Sequence, residues 1–123
     1  MPRSVPLLAP LILAFVVMAG CEHTPKSLQD EGERTVHQLR RPPSLAAGCL
    51  ARNIENHRNG YAANVRALDE KGGHEVIVRW SGTITIAIAQ VQPSPSGSEA
   101  AIWLRPEWFY RRSEFIPAMI ADC

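Results

Sequence analysis

The spacing of the apolar residues changes near Asn59-Gly60, and this change constrains the fold more than any other feature of the sequence. Before it, residues 44–57 carry an apolar stripe at helical spacing, and Ser44 stands where a helix N-cap would be. After it, apolar residues alternate with polar ones, which is the period of a strand with one buried face. The sequence therefore predicts a helix that packs on a sheet through Leu45, Cys49, Leu50 and Ile54.

Four strands are predicted after this helix, over residues 61–68, 74–80, 83–92 and 99–105. The connections between them are short, which favours antiparallel neighbours. Regular alternation in the third strand places Ile84, Ile86 and Ile88 on one face. The other face of that strand would then carry Thr83, Thr85, Ala87 and Ala89.

A short helix is predicted to follow the strands, from Ser113 or Ile116 to Asp122, because Pro117 is tolerated only near the start of a helix. The predicted order is αββββα. The fold class is thus α+β, a two-layer sandwich over residues 44–123 in which two helices cover one face of a four-stranded antiparallel meander.

The segment 22–43 is predicted to be a flexible linker. It is polar and charged, it contains Pro25, Gly32 and the pair Pro42-Pro43, and its apolar residues make no sustained pattern. As a flexible coil it would span roughly 25 Å. A short helix between Lys26 and Arg40 is the alternative.

An uncharged apolar run, residues 7–19, follows Arg3 and ends at the small residues Ala19 and Gly20. This is the organisation of a secretory signal peptide. The run is shorter than the roughly 20 residues that span a bilayer, so a permanent transmembrane helix is the less favoured interpretation.

The signal ends in Met18-Ala19-Gly20-Cys21, which resembles the lipobox of bacterial lipoproteins. The resemblance implies that residues 1–20 are removed and that Cys21 is lipidated, so that residues 21–43 become the anchor and its linker. In this class, Glu22 in place of Asp implies the periplasmic face of the outer membrane. The expected partner of Cys21 is therefore membrane lipid, and the alternative is an ordinary secreted protein.

With Cys21 assigned to lipid, Cys49 and Cys123 remain as a pair in an oxidising compartment, and a disulfide is predicted. It would close a loop of about 74 residues and contribute roughly 4 kcal/mol. The alternative is a catalytic thiolate at Cys49 activated by His57. The two cysteines also give a loose resemblance to small proteobacterial lipoproteins, which implies no named activity.

Charge and histidine spacing give no indication of a nucleic-acid or metal partner. Arg3 is the one charged residue among residues 1–20. Removal of this segment therefore leaves 12 of the 13 basic residues, which equals the 12 acidic ones. The histidines do not fall at the i, i+4 spacing of a metal site. We therefore expect that the histidines bind neither a metal ion nor a cofactor. They are His23, His37, His57 and His74.

Two surfaces are candidates for contact with a partner. The first is the aromatic and basic cluster Trp108, Phe109, Tyr110, Arg111 and Arg112, whose residue types are common at interfaces. Its aromatic residues would alternatively close the edge of a small core while the arginines stay in water, and this second interpretation is favoured.

The second candidate is the outer face of the predicted sheet, on which Ile77 and Trp103 share a side. This face would bind a partner or a second copy, or it would be an ordinary wet face with two exposed apolar residues. Its other predicted members are Thr83, Thr85, Ala87, Arg79 and Arg105.

These features predict a lipid-anchored, non-enzymatic binding or accessory module of the bacterial envelope. The alternative is an inhibitor or immunity-type protein that inserts residues 108–112 or 93–97 into an enzyme. A small hydrolase ranks last, because no convergent pair of titratable groups is evident.

Overall fold

The computed structural model describes residues 25–68, 72–106, 108 and 112–123. Its elements form an α+β fold, which confirms the predicted fold class. The helices are α1 (Pro25–Glu31), α2 (Pro43–His57) and α3 (Arg112–Ile120). The strands are β1 (Glu33–Leu39), β2 (Tyr61–Ala67), β3 (His74–Trp80), β4 (Ile84–Ser94) and β5 (Gly97–Leu104).

The sheet has five strands in the order β1-β5-β4-β3-β2, and all neighbours are antiparallel. Four of them are the predicted meander. The fifth, β1, comes from the segment predicted to be a linker and pairs with β5 from Glu33 opposite Leu104 to Leu39 opposite Ser98. The linker prediction is wrong for residues 25–39. The alternative of a short helix in this segment agrees with α1, and the backbone of β1, a strand with few apolar side chains, is satisfied by pairing with β5.

Helix α2 covers one face of the sheet, the inner face, and α3 packs beside α2. Leu45, predicted to face the core, is instead 59% exposed. The N-cap residue is Pro42 rather than Ser44, and it makes no side-chain capping bond. Pro43 occupies the first turn, where a missing N–H costs nothing. The helices, together with Cys123 just after α3, contribute this core set: Ala46, Ala47, Cys49, Leu50, Ala51, Ile54, Phe115, Ile116, Met119 and Cys123.

A β-bulge in β4 changes which residues reach the inner face. Val78 lies opposite Ala87 but Arg79 lies opposite Thr85, so Ile86 is the extra residue. Ala87 and Ala89 consequently belong to the inner core, and Ile88 does not. The predicted assignment of Ile88 to the inner face, with Ala87 and Ala89 outside, is therefore wrong.

The disulfide between Cys49 and Cys123 is present, with Cα atoms 5.7 Å apart, and this prediction is confirmed. The Arg41 amide also donates to the Cys123 carbonyl at 3.1 Å. Asn53, one turn after Cys49, donates from Nδ2 to the carbonyls of Met119 at 3.0 Å and Ala121 at 2.9 Å. The end of α3 is thus joined to α2 by a covalent bond and by hydrogen bonds.

The short helix α1 lies on the opposite side of the sheet, the outer face, against β4 and β5. Leu28 of α1 and Ile88 of β4 are both fully buried there, outside the inner core. Gly32 joins α1 to β1 in a tight turn, where an added Cβ would lie 2.7 Å from Leu28 Cδ1 and 2.8 Å from the Leu104 carbonyl oxygen. The turn brings β1 directly beside β5.

Candidate functional site: the outer face of the sheet

The outer face carries a row of five residues that lie opposite one another across all five strands. The row runs Arg34, Trp103, Ile88, Ile77 and Asn64. Ile88 is buried, Trp103 and Ile77 are half-buried, and the two ends of the row are exposed. The Arg34 guanidinium carbon lies 5.5 Å from the centroid of a Trp103 ring, a cation–π distance.

The neighbouring row combines an apolar end with a buried carboxylate. It runs Val36, Ala101, Gln90, Glu75 and Arg66, again one residue from each strand. Val36 is 43% exposed. Glu75 is only 5% exposed, and it accepts hydrogen bonds from Arg66 Nε at 2.7 Å and from Gln90 Nε2 at 3.2 Å. Because the carboxylate is buried and paired, the exposed charge of this row is the Arg66 side chain.

The end of the outer face near the bulge differs from the sequence-based expectation. Thr85 and Arg105 are buried there rather than exposed. Arg105 Nε donates to the Thr85 carbonyl at 2.7 Å, and Arg105 Nη2 has no hydrogen-bond partner among the described residues. These two residues therefore do not form part of the exposed contact surface.

Trp108 belongs to a different part of the molecule, an aromatic corner at the edge of the inner core. Its Nε1 donates to the Tyr61 hydroxyl at 3.2 Å. The Tyr61 ring in turn meets Trp80 and Phe115 edge to face, with centroids 5.2 and 5.6 Å apart. This is the position that the core-edge interpretation predicts for Trp108, and Trp103 does not share it.

The other candidate residues are only partly described. Phe109, Tyr110 and Arg111 lie outside the described residues, as does Cys21, and Arg112 begins α3. Of the contact surface predicted from residues 108–112, the structure thus places Trp108 and the backbone of Arg112. Cys49 is held in the disulfide, so it supplies no free thiolate for His57.

The described histidines do not converge with other metal-binding side chains. No group of three or more His, Cys, Asp or Glu residues that could hold a metal ion occurs in the described part of the chain. His57 Nε2 is 3.6 Å from Glu114 Oε1, which also accepts a bond from Arg58 at 2.9 Å. Burial lowers the pKa of His37, whose Nε2 lies 2.9 Å from Thr35 Oγ1.

Sequence reasoning missed three contributors to the outer face: Arg34, Val36 and Ile88. The first two belong to β1, whose alternation of half-buried and exposed residues was masked by its polar composition. The Thr35-Val36 pair, both β-branched, was the available signal for a strand. Ile88 was missed because the bulge reverses the alternation of β4.

Comparison of the chain with protein-family models, with curated proteins and with solved structures finds no match in any of the three. In the described ranges, no helix combines the length and the apolar character needed to cross a bilayer.

Proposed function

We propose that this protein is a lipid-anchored, non-enzymatic binding module of the bacterial cell envelope and that it contacts other envelope components through the outer face of its sheet. The observation that carries the proposal is the asymmetry of the sheet. Helices α2 and α3 cover the inner face, whereas the outer face leaves Trp103, Arg34 and Val36 accessible beside the short helix α1. Trp and Arg are the residue types that contribute most at contact surfaces.

The outer face is favoured over the aromatic corner as the contact surface, because Trp108 in the corner is already bonded to other residues of the protein. Its indole N–H is used by the Tyr61 hydroxyl, and its ring lies 6.4 Å from the Trp80 ring. Insertion of Trp108 into another protein would break this hydrogen bond and withdraw its ring from the edge of the inner core. Trp103, by contrast, can be contacted without rearrangement of the inner core.

The anchor is proposed from the lipobox-like Met18-Ala19-Gly20-Cys21, and the location from Glu22 and the disulfide. A disulfide persists in the periplasm and is rare in the cytosol. The periplasmic face of the outer membrane is the compartment that agrees with all three features.

Cell fractionation tests the anchor. The full chain should sediment and float with outer membranes, and Cys21→Ser should appear in the soluble periplasmic fraction. A Cys21→Ser protein that still floats with outer membranes would show that lipid on Cys21 is not what holds it there.

Site-directed cross-linking in intact cells tests the contact surface. A photo-cross-linker that replaces Val36 should react with an envelope component, while one that replaces exposed Asn56 on α2 should not. Cross-links from Asn56 but not from Val36 would contradict the proposed surface. Capture of a hydrolase whose activity the protein blocks would favour an inhibitor instead.

A further inference from the structure

We infer that the outer face of the sheet rests on the headgroup layer of the membrane that holds the protein, so that the partner of this face is lipid. The inference rests on the proposed lipid anchor at Cys21. The outer face would then be the side of the domain that faces the membrane. Its ligands would be phospholipid headgroups, contacted by Trp103, Arg34 and Val36.

The tether between Cys21 and the folded domain is short. The structure begins α1 at Pro25, so only Glu22, His23 and Thr24 separate it from Cys21. Four residue steps span at most about 14 Å even when fully extended. A linker of residues 22–43 would have held the domain clear of the headgroups, but the tether that remains is too short to do so.

The tether enters the domain on the outer face of the sheet. Helix α1 lies on the outer face, against β4 and β5, and Leu28 fixes it there through complete burial. The lipid on Cys21 must therefore be within reach of this side of the sheet. Helices α2 and α3, on the other side, are separated from the tether by the sheet itself.

The accessible surface of the outer face carries side chains that suit a membrane interface. Trp is enriched at membrane–water interfaces, where an amphipathic ring sits among headgroups. Trp103 is half-buried with the Arg34 guanidinium over its ring, and Val36 adds an exposed apolar side chain on the next row. Arg34 can pair with lipid phosphates.

Two acidic residues of the sheet on this face, Glu75 and Glu99, are held in hydrogen bonds. The Glu75 carboxylate is buried between Arg66 and Gln90, and Glu99 Oε2 accepts a hydrogen bond from Gln38 at 2.9 Å. In the two rows that carry Trp103 and Val36, Arg66 offsets Glu75, and Arg34 supplies the remaining positive charge that can meet an anionic lipid. Asp30 and Glu31 of α1 are exposed on the same side of the sheet.

Fluorescence quenching by lipid tests the orientation. The full-length lipidated protein is reconstituted into vesicles of phosphatidylethanolamine and phosphatidylglycerol that carry a nitroxide quencher on a fraction of the headgroups. We expect quenching of tryptophan emission in the wild type and loss of most of the quenched component in Trp103→Phe. The matched control, Trp80→Phe on the inner face, should keep it.

A longer tether provides the second variant. Insertion of about 20 Gly and Ser residues between Thr24 and Pro25 adds a coil of roughly 25 Å and should leave the protein bound to vesicles while headgroup quenching decreases. Unchanged quenching would overturn the claim that the short tether holds this face at the membrane.

The readouts separate the two proposals. Failure of the wild type to float with vesicles would refute the anchor, and the orientation with it. Flotation with equal quenching in the wild type and Trp103→Phe would refute the orientation alone. Flotation without headgroup quenching, together with a cross-link from Val36 to a protein, would assign the outer face to a protein partner.

Discussion

Asn53 and Ala121 are joined by a hydrogen bond of 2.9 Å from the Asn53 side-chain amide to the Ala121 carbonyl, and the same amide reaches the Met119 carbonyl at 3.0 Å. The last carbonyls of a helix have no partner within the helix. A side chain of α2 thus supplies donors to the end of α3, beside the Cys49–Cys123 disulfide.

Asn53→Ala is expected to lower the free energy of unfolding by about 1–2 kcal/mol, because it removes these hydrogen bonds from a half-buried position. Urea denaturation with the disulfide intact measures the change. Asn56→Ala is the matched control, since Asn56 is an exposed asparagine on the same helix and carries the same gain in helix propensity. Equal stability of the two variants would contradict the capping role of Asn53.

The Cys49–Cys123 disulfide is expected to contribute about 4 kcal/mol, since it joins residues 74 positions apart and so restricts a long loop of the unfolded chain. The double variant Cys49→Ala with Cys123→Ala should lose this amount in thermal or urea unfolding. Cys49→Ser with Cys123→Ser gives a second estimate with a different side chain at the buried sites. A loss below about 1 kcal/mol in both variants would mean that the loop constraint is not a main source of stability.

The hydrogen bond between Trp108 and Tyr61 can be measured with a double-mutant cycle of Trp108→Phe and Tyr61→Phe. A coupling energy of about 0.5–1.5 kcal/mol is expected, because either change alone leaves the other group without its partner. Urea unfolding of the four proteins provides the numbers. Strictly additive losses would indicate that Trp108 is not bonded to Tyr61 and would return it to the candidate contact residues.

The register of β4 predicts that enlarging two alanines will change the free energy of unfolding by different amounts. Ala87→Ile should destabilise the fold by about 1–3 kcal/mol, because Ala87 is fully buried in the inner core and added methylenes force packed neighbours to shift. Ala101→Ile, on the half-buried outer face, should change stability by only about 0.5 kcal/mol. The reverse ranking would contradict the bulge.

Much of this fold could be predicted from apolar spacing alone. Helix α2 and strands β2 to β5 lie within a few residues of their predicted bounds, because their buried faces carry Leu50, Ile54, Val76, Val78 and Ile102 at regular intervals. The pairing of Cys49 with Cys123 followed from counting cysteines once Cys21 was assigned to lipid.

The features that the sequence did not predict depend on tertiary contacts. Strand β1 buries only Leu39 fully, so its stability comes from pairing with β5 and not from a pattern of its own. The extra residue in β4 leaves no mark in the apolar pattern, yet it moves Ile88 to the outer face. The alternation of β5 was enough to place Trp103 on the outer face. Its contact with Arg34 could not be predicted, because it depends on the pairing of β1 with β5.

Mass spectrometry of the mature protein from envelope fractions tests the proposed lipid anchor and the disulfide together most directly. The predicted result is an amino-terminal peptide that begins at Cys21 and carries a diacylglyceryl thioether, together with a linked peptide pair that contains Cys49 and Cys123. An unmodified Cys21, or a Cys21 joined by a disulfide to Cys49 or Cys123, would contradict the account.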